Sequence, residues 1–352
     1  MTTARNVPGV DAPPVSGMRR INGVRGLHEL RLSYPGRKLT LGALCLALAA
    51  VAAPRLAAFG DSGHRIVGRV AELQLQKSDN PRALNEIRRI LRPQETLAAA
   101  TLWADTIKDP LYEDGDTPLF RLEHPAQDTY HFTNIAFQEP KYAASLPGAR
   151  PSDILQVTRE CVRVLRGSSQ AFTQREALRM LAHLVGDMHQ PLHSANAFVS
   201  ASGALRFVLP DGPGGWRSSA GGNALVYGPQ DRFNLHSYWD SHIVNLAMRS
   251  DDAEQYAARL VAEVPVATDW KDSGDPDAWP ERWLNDSLLL GKEAYQGIRL
   301  TAYLGPDEAG RTPHRWRIEQ PTGYDDQSRA RIRIQLAKGG YRLAAVLKAV
   351  WP

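Results

Sequence analysis

Beyond residue 58 the apolar positions recur mainly at helical spacing. Ile154, Val157, Cys161, Val164 and Leu165 form one stripe, which predicts an amphipathic helix capped by Ser152 and ended by Gly167. Asn80-Pro81 predicts a helix running to about Arg92, with Asn as cap and Pro at its first position. Thr173 and Glu176 form a capping-box pattern that opens the helix carrying His183 and Asp187. Asn234 stands where it caps a helix carrying His236 and Asp240. Further helical patterns cover 252–263, 280–303 and 326–349. One stretch departs from this period. Residues 204–209, a glycine-rich tip at 211–215 and residues 224–227 predict a small hairpin, and 304–325 reads as a polar loop. Gly221 and Gly222 permit close backbone approach to a neighbour. With no repeat and no long linker, the expectation is one all-α domain over 59–352, mainly helical, with a small β-hairpin insertion.

Residues 1–58 read differently. Arg37-Lys38 precede an apolar run from Leu39 to about Ala53, followed by Pro54-Arg-Leu-Ala-Ala58, the pattern of a signal peptide. The run is short for a membrane span, so the expectation is cleavage after Ala58, export to a periplasm or the medium, and no stable membrane association. Cys45 leaves with the leader, so Cys161 remains alone as a core thiol and no intrachain disulfide forms. The leader also explains the charge. Its eight Lys/Arg against two acids supply +6 of a net +4, leaving −2 for residues 59–352. A basic surface for nucleic acid therefore does not follow from a pI near 9.1.

The candidate chemistry is concentrated in two clusters. His183-Leu-Val-Gly-Asp187-Met-His189-Gln-Pro-Leu-His193 sets four candidate ligands in one run, and His236 and Asp240 repeat the four-residue spacing. On an α-helix that spacing puts both side chains on one face, about 40° apart. Imidazole and carboxylate together suit zinc, and carboxylates can bridge ions. A lone histidine on an apolar helix is usually a core residue. Of the nine histidines after residue 58, however, six stand in ligand-like contexts: His64, His131, His183, His189, His193 and His236.

Six ordered motifs carry a resemblance. They are Phe59-Gly-Asp-Ser-Gly-His64, Trp103-Ala-Asp105-Thr-Ile-Lys108, His131-Phe-Thr-Asn134, the run from His183 to His193, Gly221-Gly-Asn223, and Asn234-Leu-His236 to Asp240. Together they resemble the zinc-dependent single-strand-specific nucleases of the S-one/P-one type, in the phospholipase C/nuclease superfamily. The resemblance implies three Zn²⁺ ions per chain. One would be held by Asp105, His131, His183 and Asp187, and a second by His193, His236 and Asp240. The third would take His64, Asp187 as a bridge, and the amine and carbonyl of Phe59 at the mature N-terminus, where the family normally has Trp. His189 receives no zinc and would support the fold or a ligand.

The resemblance further implies hydrolysis of single-stranded DNA and RNA to 5′-phosphate products and of 3′-mononucleotides, by a monomer. Zinc would lower the pKa of bound water to about 7. Asp105 and Lys108 would be catalytic, with Lys108 on phosphate. Phe132 would stack on a base, Asn134 would bond the base edge where fungal members often carry Asp, and Asn223 would contact phosphate or sugar. Two other readings compete. One is a zinc phospholipase C, a family that shares the helical fold, the three-zinc cluster and the N-terminal ligand but against which the Trp103-to-Lys108 motif, Phe132 and Gly221-Gly-Asn223 speak. The other is a non-catalytic zinc-binding protein, which would need saturated coordination.

Overall fold

The helix from Gln174 to His189 is buried at every position from Glu176 onward. A helix with no solvent face must be surrounded, and the chain does this with its other long helices. The computed structural model describes residues 59–352, Asn80 and Pro213 excepted. Its helices of nine or more residues are α1 (Gly60–Gln76), α2 (Arg82–Ile90), α3 (Ile154–Leu165), α4 (Gln174–His189), α5 (Ala253–Glu263), α6 (Trp279–Ala294) and α7 (Tyr324–Val350). α1, α3, α6 and α7 all pack on α4. Among the described residues no helix is long and apolar enough to cross a membrane. The expected signal peptide and the expected Asn80 cap lie outside the described residues.

Capping decides where these helices begin. Thr173 and Glu176 make the predicted capping box at α4, and Asp252 with Gln255 makes another at α5. At α3 the cap is Asp153, not Ser152: its carboxylate accepts from Leu155 N and Gln156 N, a stronger acceptor than a hydroxyl. α2 starts at Arg82 and stops at Ile90, two residues short of the expected Arg92. Cys161 is buried in the core, and burial pushes its thiol pKa up.

The β-structure is larger than expected. The strands are β1 (Ile135–Ala136), β2 (Ala195–Asn196), β3 (Phe198–Ser200), β4 (Phe207–Val208), β5 (Trp216–Ser218), β6 (Leu225–Tyr227), β7 (Phe233–Asn234), β8 (Arg299–Gly305) and β9 (Arg315–Glu319). They form a two-stranded sheet and sheets ordered β4-β3-β5 and β7-β6-β9-β8. The predicted hairpin of 204–209 with 224–227 does not form. β4 and β5 instead flank β3, while β6 pairs with β7 and, in parallel, with β9. The helix expected over 280–303 ends at Ala294, and β8 follows. β9 lies inside the expected loop of 304–325, because Trp316 and Ile318 alternate inward with Arg315, Arg317 and Glu319 outward.

Candidate metal centre and substrate pocket

Several separate parts of the fold deliver the candidate ligands. His64 comes from α1, Asp105 from the short helix Trp103–Thr106, His183 and Asp187 from α4, and His193 from the turn Pro191–Ser194. His236 lies in the short helix Leu235–Ser237, capped by Asn234 as predicted. Asp240 lies in Tyr238–His242, which winds as a π-helix where an α-helix was expected. The wider turn still leaves His236 Nε2 3.4 Å from Asp240 Oδ2.

These side chains converge in three groups: His64 with His183 and Asp187, Asp105 with His131 and His183, and His193 with His236 and Asp240. Asp187 joins the first two groups and lies 3.9 Å, at Oδ2, from His193 Nδ1 of the third. Its Oδ1 lies 3.2 Å from His64 Nε2, and its Oδ2 lies 2.9 Å from His131 Nδ1 and 3.0 Å from His183 Nε2. Gly186 makes room for this, since a Cβ there would stand 2.8 Å from His64 Nδ1.

Backbone carbonyls fix three of the five imidazoles. His183 Nδ1 donates to Thr101 O at 2.6 Å, His193 Nδ1 to His131 O at 2.7 Å, and His236 Nδ1 to Gly221 O at 2.8 Å. A carbonyl only accepts, so in its neutral form each of these rings carries its proton on Nδ1 and presents its Nε2 lone pair to the centre. Gly221 reaches this position in the left-handed region, with φ +59°, and a Cβ would meet Leu192 O at 2.9 Å. The close approach expected of the Gly221-Gly222 pair is therefore to Leu192 and His236.

The donor set fits cations. Buried His64 Nε2, Asp187 Oδ1, His193 Nε2 and Asp240 Oδ2 each approach a neighbouring ring or carboxylate at 3.2–3.8 Å but make no aligned hydrogen bond among the described residues. Buried polar atoms are otherwise almost always paired, so such a cluster marks a place for ions. The charges agree. Burial works against charging His193, but Asp187 and Asp240 outweigh it and push its pKa up to about 9. Burial likewise disfavours the Asp105 carboxylate, yet His183 and Lys108 hold it well below the usual carboxylate range. His131, buried and near Lys108, is pushed down to about 3. The carboxylates thus favour positive charge in the centre, whether carried by a proton or a metal.

A cavity of about 240 Å³ opens beside the centre. His131, His193 and His236 line it together with Lys108, Phe132, Asn134 and Asn223, so the expected substrate residues are brought together here beside three candidate ligands. Lys108 lies just past the end of its helix and donates from Nζ to Asp105 Oδ1 at 2.7 Å. Asn223 donates from Nδ2 to Ala220 O, leaving its Oδ1 without a partner. His189 stays outside: Nδ1 donates to Val185 O and Nε2 faces Arg342 Nη1 at 3.3 Å. Phe59 is fully buried, its N 3.2 Å from Asp240 Oδ1.

Three site residues escaped the sequence reading. Asp128 lines the cavity, and Arg150 sits over the Phe132 ring at 5.9 Å. Gln190 donates to Asp240 Oδ1 at 2.6 Å. Only Gln190 carried a signal, as a buried amide inside the His183–His193 run.

A helical scaffold that gathers five imidazoles and three carboxylates beside a pocket lined by Phe132, Lys108 and two asparagines has the donor set of a metal-dependent hydrolase. The sequence profile described as S1/P1 Nuclease matches residues 59–351, and the chain belongs to that family. It is 26% identical over 318 residues to Endonuclease 2 of Arabidopsis thaliana, covering 85% of this chain and 93% of that protein. It is 25% identical over 334 residues to Nuclease S1 of Aspergillus oryzae, covering 89% and 98%. With Nuclease P1 of Penicillium citrinum it shares 27% over 209 residues, covering 56% and 66%. The protein is therefore a hydrolase of phosphodiester bonds acting on nucleic acids, which decides between the nuclease and the phospholipase C and non-catalytic readings.

Proposed function

We propose that residues 59–352 act as one exported, monomeric, zinc-dependent domain that cleaves single-stranded DNA and RNA to 5′-phosphate products and dephosphorylates 3′-mononucleotides. The observation that carries this reading is the convergence of three His/Asp groups around Asp187, with His131, His193 and His236 also lining the pocket that holds Phe132 and Asn134. Zinc would be held by Asp105, His131, His183 and Asp187, by His193, His236 and Asp240, and by His64, Asp187 and the backbone of Phe59. When bound, zinc supplies positive charge for phosphate and lowers the pKa of water.

The side chains supply the rest. Lys108, steadied by Asp105, offers N–H groups to a phosphate oxygen at the mouth of the pocket. The half-buried Phe132 ring gives a base a stacking surface, with Arg150 adding a cation to the same ring. A base in a duplex is already stacked and paired, so this surface favours unpaired strands. Asn134 offers both donor and acceptor to the base edge, and the unpartnered Oδ1 of Asn223 accepts from a sugar hydroxyl. Export rests on the leader, whose apolar run precedes Phe59.

The test is zinc analysis of the purified mature protein alongside product release from single-stranded DNA, duplex DNA and phosphatidylcholine. Zinc near three per chain with preferential cleavage of the single strand is the expected result. One zinc or none in active protein, or equal rates on duplex, would overturn the reading.

A further inference from the structure

We propose that Arg217 of β5, Tyr303 of β8 and His314 form a second contact surface for nucleic acid, which holds the part of a single strand that runs out of the pocket. This rests on the single-strand reading above and adds a site to it.

The cluster is a propped aromatic with an unspent cation. The Arg217 guanidinium carbon lies 5.6 Å from the centre of the Tyr303 ring. Tyr303 Oη and His314 Nδ1 are 2.8 Å apart, and buried Trp316 lies behind both rings at 5.9 and 6.2 Å. Tyr303 is nevertheless 47% exposed, so a ring fixed from below offers a surface to solvent. The neighbouring Arg299 and Arg317 are paired with Glu319 and Asp231. Arg217 has no carboxylate partner and no side-chain hydrogen bond among the described residues. Burial and the Arg217 charge both lower the pKa of His314, and no carboxylate offsets them.

Position ties the cluster to the pocket. β5 continues through Ser219 to Ala220 and Gly221, both of which line the cavity. From Arg217 to Ala220 the chain spans at most about 11 Å. On the other side Trp316 N donates to Ala224 O at 2.9 Å, next to the pocket residue Asn223. A strand leaving the pocket along this wall meets the cluster within a few nucleotides. Residues 59–352 carry a net charge of −2, so phosphate needs a local cation to be held here. Arginine against an exposed ring provides what a flexible single strand requires: donors for phosphate and a π-face for a base. The exposed area is one ring and its rim, too small and too polar for a stable protein partner.

The experiment compares the mature enzyme with Arg217→Glu, Arg217→Ala and Tyr303→Leu on a dinucleotide and on a single strand of about twelve nucleotides. Both Arg217 variants and Tyr303→Leu should raise KM for the longer strand about five-fold or more while dinucleotide turnover stays at the wild-type level. Arg217→Ala should also reduce the slope of log KM against log salt by about one on the longer strand. Unchanged KM on the longer strand, or an equal loss on both substrates, would overturn the proposal, the second outcome marking a purely structural role. A wild type that cleaves neither substrate would instead sink the single-strand reading, and the surface with it.

Discussion

Gln190 holds Asp240: its Nε2 donates to Oδ1 across 2.6 Å, while its own Oε1 accepts from Leu192 N. One buried amide thereby fixes a candidate ligand and caps the turn that carries a second, His193, both in the same group. Gln190→Ala is expected to cost about 10–100-fold in zinc affinity or turnover, as the loss of groups that orient ligands usually does. Zinc per chain after dialysis against graded zinc buffers, with far-ultraviolet circular dichroism unchanged, would be measured. Full zinc retention and full turnover would remove Gln190 from the site.

Asp187 and His189 are separated by one residue and by their surroundings. Asp187 touches three imidazoles, whereas His189 is engaged with Val185 O and Arg342. Asp187→Asn should lose zinc and activity together, and His189→Ala should keep most of both while lowering thermal stability. Equal effects on zinc content would contradict this division. Chelation of the wild type should abolish activity and lower its Tm, because ligands from several helices lose their common partner.

Phe59 tests the terminal ligand. A free α-amine has a pKa near 7.7–8.0 and can bind zinc once deprotonated, whereas an amide nitrogen has no available lone pair. Protein processed to begin at Phe59 should hold one more zinc and turn over faster than a form retaining Met before Phe59. Identical zinc content and rates in the two forms would mean that another group completes that site.

Asp286 gives the pH dependence. Burial disfavours its charge, but hydrogen bonds from Lys338 and Arg342 outweigh this and lower its pKa. A depressed folded-state pKa adds stability above the ordinary carboxylate range, near 3.9, which is lost as pH falls through the folded value. Asp286→Asn should therefore lower Tm at neutral pH, with the gap to wild type closing in acid. A gap independent of pH would show that charge at this position is not what stabilises the fold.

How much the chain discloses varies with how local the cause is. The capping box at Thr173 and the cap at Asn234 are settled within four residues, and both formed as read. The His183–Asp187 and His236–Asp240 pairs were legible because their spacing is short, whereas the roles of His64, Asp105 and His131 followed from the resemblance, and the fold brings all of them into shared groups. What depended on distant partners was not legible. β9 is a strand only because β6 and β8 accept it, and residues 204–209 and 224–227 parted because β3 and β9 offered other edges. Asp128 reached the pocket, and Arg150 the Phe132 ring, by tertiary placement, with no periodicity to mark them.

The burial of α4 along its length also limits how the sequence can vary over generations. Inserting or deleting one residue between Thr173 and His183 would turn everything beyond it by about 100°, swinging both His183 and Asp187 away from their partners. With no solvent-facing side to absorb the slip, the same event would push core residues against the wrong neighbours. Length changes are therefore confined to exposed connections such as residues 201–206, while α4 admits only exchanges of one side chain for another of like volume. The spacing of the ligands and the packing of the interior are inherited as a single trait.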